Sequence, residues 1–299
     1  MAGETTMTAI DTATLPPRAK ASFLVRSLRF ARHNPTMMLG AFILAFFVCL
    51  AIFAPWLTGD PMMKAPARRL QPPSPQFWFG TDHLGQDVFA RTVHGARVSL
   101  IVGLSVATIS ILVGLAIGLL AGYYRSVEAV VMRLMDGLMA IPAILLAIAL
   151  VALNQGSIGI VVAAIAIPEL PRVVRLVRSI VLSVRELPFV EAAIACGAKT
   201  PRIMILHLLP STVAPLIVQA TYICASAILV EASLSFLGAG VPPEIPSWGN
   251  MIASSRLYLA RAPWTIFCPA IALALVVLAV NLLGDGLRDK LDPRLSRRM

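Results

Sequence analysis

Between Val98 and Gly122 the chain carries no charged side chain. A helix built on that run rises ~1.5 Å per residue and reaches across the ~30 Å hydrocarbon core of a bilayer. Uncharged runs recur from Pro35 to Leu57 and from Gly137 to Pro168; further apolar stretches lie near 266–283 and, with the single charge of Glu231, near 213–237. Lipid offers backbone groups no hydrogen-bond partner, so only helices and closed barrels span it. These runs are continuously apolar rather than alternating, which predicts helices. Composition agrees, with 58% hydrophobic and 13% charged residues against roughly 25% charged in soluble domains. The expected fold class is all-α, a polytopic membrane protein.

Six transmembrane helices are expected: Pro35 to Leu57, Val98 to Gly122, about Val131 to Leu153, about Ile158 to Val177, about Val213 to Leu237 and about Ile266 to Leu283. The run from Gly137 to Pro168 is too long for one span and is interrupted by Asn154, Gln155, Gly156 and Ser157, which predicts two helices and a tight turn. An even number of spans puts both termini on one side. Basic residues choose the side. Arg18, Lys20, Arg26, Arg29 and Arg32 precede the first span; Arg125 follows the second span and Arg133 sits at the start of the third; Arg172 and Arg175 sit in the last turns of the fourth, with Arg178, Arg185, Lys199 and Arg202 after it; Arg288, Lys290, Arg294, Arg297 and Arg298 follow the last. The alternate loops hold fewer, and lysine and arginine favour the cytoplasmic face. Both termini are therefore expected to be cytoplasmic. The layout is a tail at 1–34, a first span at 35–58, an extracytoplasmic segment at 59–97 with an interfacial helix from Gln86 to His94, a core at 98–286, and a basic tail at 287–299. Residues 1 to about 22 read as a mobile tail, and the first apolar run exceeds a signal-peptide core, so it reads as retained.

The net charge of +10 would suit nucleic acid, but the basic residues sit beside apolar segments, where they set topology instead. Cys49, Cys196, Cys224 and Cys268 are scattered singly and read as buried free thiols. His83, His94 and His207 are likewise isolated, with no metal-ligand spacing. Gly114, Gly118 and Gly122 share one helical face and permit close approach of a neighbouring helix. Three-residue spacing lets Glu169 pair with Arg172, and Arg133 with Asp136. Glu231, near the outer end of the fifth span, is a candidate either for lining a path or for a capped structural carboxylate. Gln219, Ser233 and Ser235 are polar candidates of lower rank.

The segment EAAIACGAKTPRIMILHLLP, Glu191 to Pro210, interrupts the greasy pattern. Pro188 suits the first turn of a helix, Gly197 suits a left-handed cap, and Thr200 followed by Pro201 suits the start of a second helix. That second piece, Pro201 to Leu209, is too short to span at ~1.5 Å per residue. Its Ile203, Met204, Ile205, Leu206, Leu208 and Leu209 are too many apolar groups for a solvated loop. A short amphipathic hairpin of this kind either fills a groove on another protein or braces its own bundle.

Glu191, Ala192, Ala193, Gly197, Leu209 and Pro210 together resemble the EAA motif of ABC importer permeases, in the loop before the penultimate span. The segments Phe79 to Leu100, Glu231 to Ile252 and Asn281 to Arg294 are similar to the C-type permease of dipeptide, oligopeptide and nickel importers, and the resemblance covers about Phe30 to Arg294. Gln86 departs from it, standing where that family usually has arginine. The resemblance implies a type I importer permease fold in a bacterial plasma (inner) membrane. It makes 186–210 a hairpin docking on an ATPase, with Glu191 a polar anchor, Ala192 and Ala193 the close-packing face, Gly197 the turn and Pro210 the return to the membrane, and Ala198 and Leu209 within the same coupling set. It further implies two ABC ATPase subunits that bind ATP and Mg, a homologous second permease, and an extracytoplasmic binding protein touching Asp60 to Arg97 and Gly238 to Pro263. This chain has no Walker-type phosphate loop, so no cofactor of its own and no ATP hydrolysis are expected. Dipeptides or oligopeptides are the implied cargo, with nickel, glutathione or another small solute as the alternative. A secondary transporter would need acids near the midplane, and a membrane enzyme would need converging catalytic groups; the sequence is poor in both.

Overall fold

The computed structural model describes residues 34–153 and 157–291. The chain separates into two units, 1–35 and 36–299, and the architecture below is that of the second. The tail expected at 1–22, the turn residues Asn154 to Gly156 and the basic tail beyond 291 lie outside the described residues.

Among the described residues the regular secondary structure is helical, with one isolated bridge, Thr81 to Asp87, in the connecting loops. Helix α1 spans Pro35–Leu57, α2 Val88–Tyr123, α3 Arg125–Ala140, α4 Ala143–Leu153 and α5 Ile158–Arg185. There follow α6 Pro188–Ala195, α7 Thr200–Ile203, a π-helical turn Met204–Leu208, α8 Leu209–Phe236, α9 Trp248–Ser255 and α10 Trp264–Leu291. Among the described residues four helices are long and apolar enough to cross a membrane: α1, α2, the continuous run Thr200–Phe236 and α10. The bent pair α3 and α4 makes a fifth if it is one span. Helix α5 falls short because Glu169, Arg172 and Arg175 follow its apolar start.

The elements depart from the sequence pattern at identifiable residues. Helix α2 starts at Val88 rather than Val98 and absorbs the interfacial helix expected at Gln86 to His94. Asp87 sets that start, its carboxylate accepting from the Phe89 N–H at 2.9 Å as an N-cap does. The third span is not straight: α3 and α4 meet at 89° at Ile141 and Pro142, where proline breaks the helical ladder. Pro201 to Leu209 is not a separate short helix either, since it runs on into α8. Pro210 removes the bond to the Leu206 carbonyl and crowds it; the turn before it widens, with the Leu209 N–H donating to the Met204 carbonyl. Thr200 does not cap. Lys199 holds that position with no side-chain bond, and the Thr200 hydroxyl lies 3.4 Å from the Tyr123 hydroxyl.

The most extensive helix contact joins α2 to α5, and the glycine stripe makes it. Gly114, Gly118 and Gly122 face Val173, Val177 and Val181, where a Cβ on each glycine would lie 2.6–2.7 Å from the valine Cβ. Both rows step by four residues, so the two helices run side by side in one direction. Helix α8 packs on α2 at Gly103, whose added Cβ would meet Ile228 at 2.7 Å. One core gathers Val102, Val161, Val177, Ile223 and Leu234; a second gathers Phe47, Val88, Ile228, Trp248 and Val276. The loops 58–87 and 237–263 meet at one end of the bundle, where Trp264 Nε1 donates to the Thr81 carbonyl and His83 stacks on Tyr258. We term this the loop end. The hairpin 186–199 lies at the other.

Candidate functional site

Pro188 opens α6 in its first turn. Gly197 closes it at φ +80°, with its N–H on the Ile194 carbonyl at 2.9 Å and the Ala198 N–H on the Ala193 carbonyl at 3.0 Å. A left-handed glycine with this reach-back bond ends a helix by satisfying its last carbonyls. The root of the hairpin is held by Val190, Ile203 and Leu208, all buried in the core that also holds Val181. Phe189 stacks on His207 with ring centroids 6.2 Å apart, tying α6 to the π-helical turn. The other face points away from the bundle. Glu191, Ala192, Ile194, Gly197, Arg202 and Pro210 are exposed there, and Ala193, Ala198 and Leu209 are half-buried. Ile194, Ile205 and Leu206 keep 51–60% of their surface exposed, which is costly in water and suits a partner's groove.

One arginine of α5 pairs within the helix, and three bond it to the rest of the bundle. Arg172 meets Glu169 at 2.8 Å, as the spacing predicts. Arg133 and Asp136 do not pair with each other: Asp136 bonds Arg175 at 2.5 Å across to α5, while Arg133 is exposed. Arg175 on the neighbouring α5 reaches Asp136 and takes it in place of the residue three positions along α3. Arg178 pairs with Glu128, and Arg185 donates to the Gly122 carbonyl at 3.2 Å. Gln219 is half-buried on α8, and the exposed Ser233 returns its hydroxyl to the Leu229 carbonyl at 2.8 Å. Glu231 and Ser235 are the buried members of this polar group, at 0% and 3% exposure. The cysteines are free, but Cys49 and Cys196 are exposed rather than buried, being on outward faces of α1 and the hairpin; Cys224 and Cys268 are half-buried.

The loop end holds a cavity of about 830 Å³, lined in part by Lys64, His83, Gln86, Arg91, Asn250 and Arg256. Its wall rests on a buried knot that motif spacing does not reveal. Arg91 Nη1 donates to Asp82 at 2.6 Å and to Gln86 Oε1 at 2.7 Å. Gln86 Nε2 donates to the Met62 carbonyl at 3.1 Å, while the Leu84 and Gln86 N–H groups donate to Asp82 Oδ1. Gln86 thus serves as both acceptor and donor inside this knot. Burial pushes the Asp87 carboxyl above its ordinary value, opposed by the Phe89 and Ala90 N–H groups. Burial pushes His83 below its own, with Arg91 and Arg69 adding to that and Asp82 opposing it. Trp248 is fully buried, and its Nε1 donates to the Thr92 carbonyl at 2.9 Å. Among the described residues no group of three or more His, Cys, Asp or Glu could hold a metal ion.

Residues 88–297 match the family described as binding-protein-dependent transport system inner membrane component, and residues 22–73 match the N-terminal TM domain of oligopeptide transport permease C. The chain is 59% identical over 271 residues to the probable peptide ABC transporter permease protein y4tQ of Sinorhizobium fredii, covering 91% of this chain and 93% of that one. It is 46% identical over 273 residues to the di/tripeptide transport system permease protein DppC of Pseudomonas aeruginosa, covering 88% and 90%. It is 40% identical over 271 residues to the glutathione transport system permease protein GsiD of Pectobacterium atrosepticum, covering 90% of each. A chain in a solved structure titled for inward-facing conformations of the MetNI methionine ABC transporter superposes with a TM-score of 0.53. That match covers 68% of this chain and 97% of that one at 20% identity, and it bears on the fold alone. The family match takes in the α2 to α10 bundle and the hairpin alike, so this multi-pass membrane protein belongs to the binding-protein-dependent transport system inner membrane components, the permease subunits of ABC importers.

Proposed function

We propose that this chain is one of two homologous permease subunits of an ATP-driven importer of short peptides in a bacterial plasma membrane, and that 186–210 is its docking element for an ATPase subunit. The observation that carries the reading is the hairpin itself. Its root is locked into the core by Val190, Ile203 and Leu208, while Ile194, Ile205 and Leu206 are left uncovered beside the open turn at Gly197. ATP and Mg are bound by the separate ATPase subunits, and this chain takes part mechanically. In this reading the chain crosses six times, with α3 and α4 as one bent crossing and α5 as another, and both termini lie in the cytoplasm with the hairpin. The loop end then faces outward, where 59–87 and 237–263 receive a binding protein. Closure of the ATPase subunits shifts the hairpin and biases the bundle between two packings of rigid helices.

Peptide cargo is supported by the relatives named for peptide and di/tripeptide transport. The relative named for glutathione transport favours that solute as the second reading. Two measurements test the proposal. ATPase subunits co-expressed with the second permease should copurify with this chain and be lost with Gly197→Trp or Glu191→Arg; variants that keep both partner and uptake would overturn the docking role. Uptake of labelled dipeptides, longer peptides, glutathione and nickel in cells lacking and regaining the chain assigns the cargo. Restoration of nickel or glutathione uptake alone would replace the peptide reading.

A further inference from the structure

Glu231 has no part in the docking just described, yet it is the most fully buried acid among the described residues, at 0% exposure. It forms no ion pair with a described basic residue; hydroxyls surround it instead. Ser235 donates to Oε1 at 2.9 Å, Ser99 to Oε2 at 3.4 Å, and Ser247 is its third hydroxyl partner. These serines come from three places: the same helix α8, the neighbouring α2, and the N-cap of α9. The knot extends into the segment between α8 and α9. Ser235 Oγ also accepts the Val241 N–H at 3.3 Å. Asn250 Nδ2 donates to the carbonyls of Val241 at 2.9 Å and Pro242 at 3.2 Å. Gly249 sits so close to α8 that an added Cβ would lie 2.7 Å from the Ala232 Cα. Residues 238–250 are thereby fastened to α8 and α2 together, and many of them line the 830 Å³ cavity.

The helix carrying Glu231 is continuous from Thr200 to Phe236. At ~1.5 Å per residue it is a rod of about 55 Å, rooted in the hairpin at one end and tied to the cavity wall at the other. We infer that Glu231 is a positioning residue that makes the wall segment 238–250 move with this rod, so that a stroke entering at the hairpin reaches the loop-end cavity. The inference rests on the transport reading above. The physical reason is that removing a buried carboxyl faced by three hydroxyls leaves those three polar groups without it as a partner, whereas a carboxamide of the same shape keeps an acceptor and adds donors.

The test uses the assembled complex of this chain with its second permease, ATPase subunits and binding protein in proteoliposomes. Val241, 3% exposed, is changed to cysteine in a background with the four native cysteines replaced by serine. Labelling by a membrane-impermeant maleimide should be slow in the parent and in Glu231→Gln, and about tenfold faster in Glu231→Ala, because the knot's bonds no longer hold the segment closed. ATP hydrolysis should continue in Glu231→Ala while peptide uptake per ATP falls about tenfold; Glu231→Gln should restore both readouts. If Glu231→Ala fails to assemble, Ser247→Ala carries the same two measurements. Parent-like labelling in the alanine variant, equal loss of uptake and hydrolysis, or a glutamine variant that behaves like alanine would each overturn the inference. A parent complex that imports no peptide sinks the transport reading instead, and the labelling still decides whether Glu231 holds the segment.

Discussion

At the loop end Arg91 and Asp82 pair with 6% and 4% of their side chains exposed; toward the hairpin end Arg175 and Asp136 pair with 44% and 64% exposed. Two glycine turns, one from each end, differ in the same sense, although Gly238 at the loop end, at φ +82°, is open like Gly197. Gly85, at φ +76°, is so enclosed that a Cβ would collide with the Ala65 carbonyl, whereas Gly197, at φ +80°, has nothing within 4 Å of that position. One end is closed on its own polar groups and the other is left open around an apolar hairpin. A buried pair cannot give up one member without stranding a charge, while an exposed pair exchanges its partner for water at little cost. The difference teaches where this molecule tolerates new contacts: the loop end resists rearrangement from within, and the hairpin end is ready to be covered from without.

The comparison can be broken most directly at Asp82. Asp82→Ala should destabilise the purified protein by about 3–5 kcal/mol, because it leaves Arg91 buried without its carboxylate; a thermal midpoint close to the parent's would mean that water reaches the pair. The glycines give the next largest contrast. Gly85→Ala should cost about 3 kcal/mol from crowding added to a left-handed backbone, against about 1 kcal/mol for Gly197→Ala, where only the backbone term applies. Equal losses in unfolding midpoint would remove the distinction between a filled turn and an open one. Asp136→Ala should cost less than about 1 kcal/mol, and the loss should shrink as salt is raised. A larger, salt-insensitive loss would show that the α3 to α5 bridges are as structural as the loop-end knot.

What the sequence discloses and what it hides divide along a physical line. The long uncharged runs, the glycine stripe that meets α5 and the left-handed turn at Gly197 are local or periodic features, and each is legible because one stretch of chain suffices to imply it. Asp136 shows the limit. Spacing along α3 offered Arg133, but the side chain faces α5 and takes Arg175. Pro142 and Pro210 show another, since the same residue type produces an 89° bend in one place and a widened turn within an unbroken helix in the other. The serines around Glu231 and the Asp82, Gln86 and Arg91 knot are brought together by packing between segments far apart in the chain, and no local periodicity announces them. Trp248 is the plainest case: its indole N–H reaches a carbonyl on α2, where an interfacial aromatic would be the default for a tryptophan in such a chain.

The smallest effect expected at the loop end is one of pH. Burial holds His83 below its ordinary value of 6.5, with Arg91 and Arg69 pushing the same way and Asp82 pushing back. The folded state therefore releases this proton at a lower pH than the unfolded chain does. Above the ordinary value both states are neutral and the stabilisation is fully present. As pH falls below it, the unfolded chain takes up the proton first and stability declines, until the folded imidazole also binds one and the decline stops. His83→Phe keeps an aromatic ring to stack on Tyr258, which lies 5.3 Å from the imidazole at 11°, and does not titrate. The thermal midpoint should fall less between pH 7.5 and pH 5 in that variant than in the parent, a difference read by scanning both proteins in the same detergent. Parallel pH profiles would mean that His83 is as solvated as the residues of the hairpin, and that the closed character of the loop end stops short of its rim.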